Sequence, residues 1–184
     1  MSEHQKSIEF LKQHFPHHWV EPKLDPSVFV ASGAHVIGDV EIGKDSSLWF
    51  NTVVRADVSF VRIGERTNIQ DCSLIHESYP STPCIIGNGV TVGHSVILHA
   101  CTIADGSLIG MGSVLLDGVE VGSEVLIGAG SLVTQGTQLP PRTLVFGRPA
   151  KVIRELNAGE LARLKWNADH YVRLSQAYLL KSRG

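Results

Sequence analysis

Aromatic residues and cysteines are scarce in this chain, and it has no long apolar run. Phe, Trp and Tyr together make up 7% of the 184 residues, and there are three cysteines. No apolar stretch approaches the roughly 20 residues that a membrane-spanning helix needs, and the charged amino terminus lacks the apolar core of a signal peptide. Three thiols without a CxxC spacing are typical of a reduced protein. We therefore expect a cytoplasmic protein.

The charge is nearly balanced, with a formal net charge of −2 at pH 7. A chain with so little excess charge has no electrostatic reason to bind nucleic acid or an anionic membrane surface. We therefore expect neither partner, and we look for a small-molecule substrate. The length suits a single domain with a sizeable core.

Glycine and aliphatic residues are abundant, and they follow a six-residue repeat. From Val30 onward the first position of each hexad is aliphatic, the second is often glycine, and the fifth is small or β-branched, as in IGMGSV and IGAGSL. A period of six fits neither an amphipathic helix nor simple alternation along a strand. It predicts short parallel strands joined by tight corners, with three strands closing one turn every 18 residues.

The predicted fold class is therefore mainly β, a single-stranded parallel β-helix with a carboxy-terminal α-helix packed along it. We expect one domain, in which residues 1–29 form an arm that covers the coil, residues 30–150 form the β-helix, and residues 151–184 form the helix. Asn157 and Glu160 have capping-box spacing. The apolar stripe of the helix comprises Leu161, Leu164, Ala168, Tyr171, Leu174 and Tyr178.

The repeat is broken in three places. These are a lengthened hexad at Val54–Arg62, an insert at Glu77–Ile85 and the shortened hexad LHACT. Sites of function are expected where a regular solenoid becomes irregular. Polar residues that the repeat does not require are concentrated there: Arg55, Asp57, Gln70, Asp71, His76, His94 and His99.

Counting hexads in threes places Arg55, His76 and His99 at equivalent positions of one face in successive turns. Two imidazoles one turn apart can bind the same metal ion. His94 falls on a different face, so we expect it to point away from the other two histidines within one chain. A site with all three histidines then needs a second copy of the chain, and a closed trimer with three interfacial metals satisfies this requirement.

The segments VVRADVSFVRIGERTNIQDCSLIH and VTVGHSVILHACTI resemble the gamma-class carbonic anhydrase family. The resemblance extends over IGMGSVLLDG and IGAGSLV and so covers most of the chain. It implies a left-handed coil and a homotrimer. It also implies a zinc ion, or iron or cobalt, bound by His76 and His99 of one subunit and by His94 of its neighbour.

The same resemblance implies roles for further residues and an activity. Arg55 and Asp57 would form an ion pair between subunits, and Gln70 and Asn68 would position water and substrate. The activity implied is the reversible hydration of CO2 to bicarbonate by metal-bound hydroxide. Three neutral imidazoles leave a zinc ion its full charge, which lowers the pKa of bound water to roughly 7.

Two other functions fit the same coil. One is a coenzyme A-dependent acyltransferase or thioesterase, although such an enzyme needs one catalytic base and not three histidines at ligand spacing. The other is a non-catalytic scaffold in which the metal only fastens the subunits. CO2 hydration that disappears on chelation would exclude the scaffold.

The chain departs in the insert from the best-known members of the family, which carry a long acidic loop with a proton-shuttling glutamate. Here the insert reads ESYPSTPCI, and Val58 follows Asp57 where a further acid would be expected. Glu77 is the only acid of the insert, and we expect it to face away from His76 because successive strand residues point to opposite sides. Tyr79 has a reference pKa near 10, which is too high for efficient proton relay.

We therefore predict that CO2 hydration is slow and is rescued by buffer. Imidazole added to a stopped-flow assay should raise kcat and leave kcat/KM nearly unchanged, because it accelerates only the export of a proton. Fast hydration that does not depend on buffer would contradict the prediction.

Overall fold

In the computed structural model, which describes residues 2–79 and 82–182, short strands wind into a parallel β-helix that is followed by a long α-helix. The strands are β1 (Lys23–Leu24), β2 (Phe29–Val30), β3 (His35–Ile42), β4 (Ser47–Leu48), β5 (Val53–Ile63), β6 (Asn68–Ile69), β7 (Leu74–His76), β8 (Cys84–Ile86), β9 (Thr91–Val92), β10 (Ile97–His99), β11 (Thr102–Ile103), β12 (Leu108–Ile109), β13 (Val114–Leu115), β14 (Glu120–Val121), β15 (Leu126–Ile127), β16 (Leu132–Val133), β17 (Gln138–Leu139), β18 (Thr143–Gly147) and β19 (Ala150–Glu155). The helices are α1 (Glu3–His14), a 3-10 turn (Pro16–Trp19) and α2 (Ala158–Ser182).

The strands form three faces. The first face contains β7, β10, β13 and β16, and the second contains β2, β4, β6, β9, β12, β15 and β18. The third contains β1, β8, β11, β14 and β17. The long strands β3 and β5 run through a corner and pair on both the first and the third face, which joins these faces into one sheet. The predicted fold class is confirmed, and the left-handed sense stays a prediction.

The register between turns follows the breaks in the repeat. Ser47 pairs with Asn68, 21 positions further on, because the lengthened hexad adds three residues. Asn68 pairs with Thr91, 23 positions on, across the insert, and Thr91 pairs with Leu108, 17 positions on, because LHACT is one residue short. The regular spacing of 18 returns between Leu108 and Leu126. The irregularities therefore change the number of residues between paired strands, and the stacking of the strands stays intact.

First-position aliphatic side chains fill the interior of the coil, as the repeat predicts. Leu48, Ile69, Ile75, Leu98 and Ile127 are fully buried in one continuous core. The first two hexads depart from this pattern: Val30 is 40% exposed, on a strand with a neighbour on one side only, and Val36 is only partly buried.

Fifth-position hydroxyls lie inside the coil at its corners and bond to second-position glycines. Ser46 donates to the carbonyl of Gly64 at 2.7 Å, and Thr67 donates to that of Gly87 at 2.7 Å. Each such bond satisfies a buried polar group and contributes about 0.5–1.5 kcal/mol. A Cβ atom on Gly64 would lie 2.7 Å from the carbonyl carbon of Gly87 in the next turn. This close approach explains why glycine occupies the second position.

Helix α2 begins with the predicted capping box. The amide of Glu160 donates to the Asn157 side chain at 2.9 Å, and the amide of Asn157 donates to the Glu160 carboxylate at 2.9 Å. The helix lies along the second face, against β2, β4, β6 and β9. Leu164 and Ala168 are buried there as predicted, whereas Tyr178 at the far end is 40% exposed.

The boundary of the carboxy-terminal helix was predicted too early. Residues 150–155 form β19, which pairs antiparallel with β18 and so covers the open edge of the last turn. The helix starts only at Ala158. At the other end, α1 has no buried residue, and the 3-10 turn packs against β3 and β5. No helix in the described part of the chain is both long enough and apolar enough to span a bilayer.

The single inward side chain per strand predicts where truncation destabilises the protein. Ile103 of β11 is buried and Thr102 of the same strand is exposed. Ile103→Ala should lower the free energy of unfolding by about 2–5 kcal/mol through lost burial and a cavity. Thr102→Ala is the matched control and should change it by less than about 0.5 kcal/mol. Equal effects in denaturant titrations at one protein concentration would contradict this assignment of inside and outside.

Candidate metal centre

Two of the three predicted ligands are neighbours on the first face. Arg55 of β5 is in register with His76 of β7, and His76 is in register with His99 of β10. The ring centroids of His76 and His99 are 5.4 Å apart. The predicted vertical stack of these three residues is confirmed.

The Nδ1 atoms of both imidazoles are held by acceptors. His76 Nδ1 lies 2.9 Å from the carbonyl oxygen of Arg55, and His99 Nδ1 lies 2.6 Å from Oδ1 of Asp117. A carbonyl or carboxylate can only accept, so Nδ1 carries a proton, and in the neutral ring the lone pair is on Nε2. Histidines that ligate metals are typically held in this way, with the second nitrogen bonded to a carboxylate or backbone carbonyl. The two side chains therefore fit a metal ion.

His94 lies apart from this pair, in the corner that follows β9 on the second face. It is 46% exposed, and its Nδ1 lies 2.7 Å from Oδ2 of Asp71 in the equivalent corner one turn earlier. Among the described residues, the potential ligand atoms that lie within 4.8 Å of one another belong to Asp57, His76 and Glu77. Both His94 and His99 lie outside that group of three.

The Arg55 guanidinium bridges Asp57 and His76. Its Nη1 atom donates to the Asp57 carboxylate at 2.6 and 2.7 Å, and its Nη2 atom lies 2.8 Å from His76 Nε2. Burial raises the pKa of Asp57, but the hydrogen bonds and charge of Arg55 outweigh it and the net pKa is lowered. The ion pair lies within one chain here, and the pair between subunits stays a prediction. The guanidinium occupies the nitrogen of His76 through which a metal would bind.

Glu77 is fully buried beneath the lengthened strand β5. Its Oε1 atom accepts hydrogen bonds from the backbone amides of Asp57 and Val58 at 2.8 and 2.9 Å. Its Oε2 atom has no hydrogen-bond partner among the described residues. The expectation that Glu77 faces away from His76 is wrong, because its Oε1 atom lies 3.5 Å from His76 Nδ1. The backbone amides of β5 draw the carboxylate to the side of the histidine.

Asn68 and Gln70 are buried on the second face, on the same side of the coil as Asp71 and His94. Gln70 Nε2 donates to Asn68 Oδ1 at 3.1 Å, and Asn68 Nδ2 donates to the Thr91 hydroxyl at 3.0 Å. These bonds fix both amide side chains and leave Gln70 Oε1 as the end that can accept from another molecule.

The predicted site residues therefore form two groups on different faces. We call Arg55, Asp57, His76 and His99 the first half-site. We call Asn68, Gln70, Asp71 and His94 the second half-site.

An outward aliphatic stripe runs beside the first half-site. Val53, Leu74, Ile97, Val114 and Leu132 occupy paired positions of successive turns. All five are at least partly exposed, and Ile97 is 38% exposed. A continuous apolar surface of this kind marks an interaction site more often than isolated exposed residues do.

Asp117 is the site residue that sequence reasoning missed. Burial raises its pKa, but the hydrogen bond from His99 and the nearby Ser78 side chain outweigh it and the net pKa is below the ordinary value. One signal could have revealed it: β10 and β13 pair at a spacing of 17, so Asp117, 18 positions after His99, comes directly after the position that stacks on His99.

Comparisons with known proteins agree with the fold. Residues 100–135 match the family model described as bacterial transferase hexapeptide (six repeats). The chain is 48% identical to a carbonic anhydrase of Geobacillus kaustophilus over 89% of this chain and 90% of that protein. It is 44% identical to the mitochondrial gamma carbonic anhydrase 2 of Arabidopsis thaliana, over 85% of this chain and 58% of that longer protein. A solved structure of a hexapeptide transferase family protein from Anaplasma phagocytophilum superposes with a TM-score of 0.82 at 42% identity, covering 86% of this chain and 93% of that one.

Proposed function

The chain belongs to the gamma-class carbonic anhydrase family, and we propose that it catalyses the reversible hydration of CO2 to bicarbonate at metal centres between the subunits of a homotrimer. The observation that carries the proposal is the division of the site residues into two half-sites on different faces of one chain. A cyclic trimer brings the first half-site of each subunit against the second half-site of its neighbour, because a heterologous contact that closes forms a ring.

His76 and His99 of one subunit and His94 of the next would hold the metal, which we propose to be zinc, with iron or cobalt as alternatives for the same donor set. Each of the three imidazoles has its Nδ1 bonded to a carbonyl or carboxylate oxygen, so each presents Nε2. When bound, a divalent ion lowers the pKa of water to about 7, which supplies hydroxide at neutral pH.

Gln70 would orient the water that attacks CO2. The hydrogen bonds from Gln70 to Asn68 and from Asn68 to Thr91 hold the amide in one orientation. The free Oε1 atom of Gln70 can then accept a hydrogen bond from that water and direct its remaining lone pair towards the substrate. Asn68, which is buried and precedes the inward-pointing Ile69 on β6, supports this orientation.

The aliphatic stripe supports the trimer. It lies two positions before the ladder of Arg55, His76 and His99 on each strand, so a neighbour that contacts the stripe also approaches the first half-site. Burial of this apolar surface would supply a driving force for association.

Arg55 would link assembly to metal binding. The guanidinium is hydrogen-bonded to His76 Nε2, and it has to leave that nitrogen before an ion can bind there. We propose that the carboxylate of a neighbouring subunit draws it away, since an Arg–carboxylate fork is a strong interaction. Metal binding would then be favoured in the assembled trimer.

The alternatives predict different measurements. The likeness to a hexapeptide transferase family protein fits an acyltransferase on the same coil, and turnover of an acyl-coenzyme A ester without bound metal would favour it. A scaffold would bind metal and form trimers without hydrating CO2. The free cysteines Cys72, Cys84 and Cys101 fit the cytoplasmic location that we propose.

Mixing two inactive variants tests whether the half-sites come from different subunits. His94→Ala retains the first half-site, and His76→Ala retains the second. Dissociated, mixed in equal amounts and reassembled, they should recover about one quarter of the wild-type metal content, the random expectation for a heterologous contact. A mixture of His76→Ala and His99→Ala is the matched control and should recover none, because both changes damage the same half-site. A verified monomer with full metal occupancy would contradict the proposal.

Replacing Arg55 tests the role of the interface pair. Arg55→Ala should raise the concentration at which the trimer dissociates by roughly tenfold or more, which corresponds to about 1.4 kcal/mol. The control is Arg62→Ala on the same strand, whose guanidinium pairs with Asp39, and it should leave assembly unchanged. Sedimentation on dilution measures both. The prediction fails if Arg55→Ala stays trimeric while it loses all metal-dependent activity.

A further inference from the structure

Asp117 lies in the corner after β13 and bonds to a predicted metal ligand. Its Oδ1 atom is 2.6 Å from His99 Nδ1, the shortest of the three Nδ1 contacts described above. A carboxylate hydrogen bond of this length is charge-assisted and about twice as strong as a neutral one. We propose that Asp117 is a positioning residue, which holds the ring of His99 in the Nδ1–H tautomer and keeps its Nε2 atom available to the metal. This inference rests on the proposed function.

The two ligands of the first half-site are held in different ways. His76 Nδ1 bonds to a backbone carbonyl within the β-helix, so its anchor is part of the strand pairing. The backbone of His99 is fixed by β7, whereas its ring is held by a side chain. The imidazole is about one-third exposed and so has space to turn. The orientation of the His99 ring therefore depends on one side chain, Asp117, whereas the Nδ1 atom of His76 is held by the backbone.

The short insert supports the same carboxylate. Ser78, the second residue of the insert, also lowers the pKa of Asp117 and therefore lies near its carboxylate. The backbones of Ser78 and Thr82 pair through hydrogen bonds of 3.0 and 2.9 Å, which close the insert at its base. Where the best-known members of the family have an acidic shuttle loop, this chain has a short segment that braces the environment of His99.

Asp105 provides a matched control from the same coil. Both aspartates precede a corner glycine of positive φ, Gly106 at 71° and Gly118 at 68°. Asp105 accepts a hydrogen bond from the backbone amide of Asn88 at 2.7 Å, and it has no hydrogen bond to a histidine among the described residues. A change from Asp to Asn at position 105 therefore tests the corner, and the same change at position 117 tests the corner together with the histidine contact.

The test measures the His99 tautomer and the metal affinity of the assembled protein. In nitrogen-15 NMR of the metal-free trimer, the His99 signal is assigned by its loss in His99→Gln. The wild type and Asp105→Asn should both show the Nδ1–H tautomer. Asp117→Asn should shift His99 towards Nε2–H, because an amide can donate to Nδ1. Zinc affinity measured by chelator competition should fall about 10–100-fold in Asp117→Asn and stay unchanged in Asp105→Asn.

Several outcomes separate this inference from the proposed function. Equal tautomers and equal zinc affinities in the two variants would overturn the inference. An Nε2–H tautomer in the wild type would overturn it as well, even if Asp117→Asn failed to assemble. A wild-type protein that binds zinc but does not hydrate CO2 would contradict the proposed function and leave the positioning role in place. A wild-type protein that binds no zinc would overturn both, whatever its tautomer.

Discussion

Hydrogen bonding between equivalent strands of successive turns is the constraint from which the other features of this molecule follow. Each short strand pairs in parallel with the strand one turn before and one turn after it, so a residue's height in the coil depends on a count of residues. Such a strand has only two or three residues, and its pairing is maintained by the aliphatic column inside and by the corner hydroxyls that bond to glycine carbonyls. Because the interior is filled turn by turn, a side chain that points outward can be polar without a cost to the core.

This division between inside and outside allows the coil to carry a site. Lengthening β5, adding an insert after β7 and shortening the hexad of His99 all change the outer surface, while the inward residues on either side keep their pairing. The first face thereby presents two imidazoles on adjacent strands, and the second presents a third imidazole in a corner. A rigid three-sided coil does not bring these faces together, so a site that uses all three histidines has to form between subunits. The assembly that we propose is thus a consequence of the geometry of the coil.

Four carboxylates lie around the predicted ligands, although a metal centre with three neutral imidazole ligands needs no carboxylate to bind the ion. Asp57 is neutralised by Arg55, and Asp117 and Asp71 are bonded to histidines. Glu77 is satisfied at one oxygen by two backbone amides. Asp71, Asp117 and Glu77 lie on the Nδ1 sides of the imidazoles, whereas Asp57 lies beyond Arg55 on the Nε2 side of His76. Among the described residues, no side chain is hydrogen-bonded to Nε2 of His99. The carboxylates bonded to histidines orient these ligands before an ion binds. The same negative charges would balance the charge of a bound ion.

Much of the architecture could be predicted from the repeat, since the period of six, the aliphatic first position and the small fifth position each have one structural meaning. The same count placed His76 beside His99 and separated them from His94. The start of the helix was predicted too early because the apolar and polar residues of β19 follow no clear period. The pairing of β19 with β18 depends on the open edge that the last turn of the coil leaves.

Asp117 and the contact between Arg55 and His76 were missed for a related reason. A count of residues determines which turn and which face a side chain belongs to, and the sequence alone therefore determined the coil, its core and the positions of the three histidines. Corner geometry and side-chain rotation decide which atoms meet. Only the tertiary structure could therefore show that a carboxylate holds His99, that a guanidinium covers His76, and that Glu77 is buried against backbone amides.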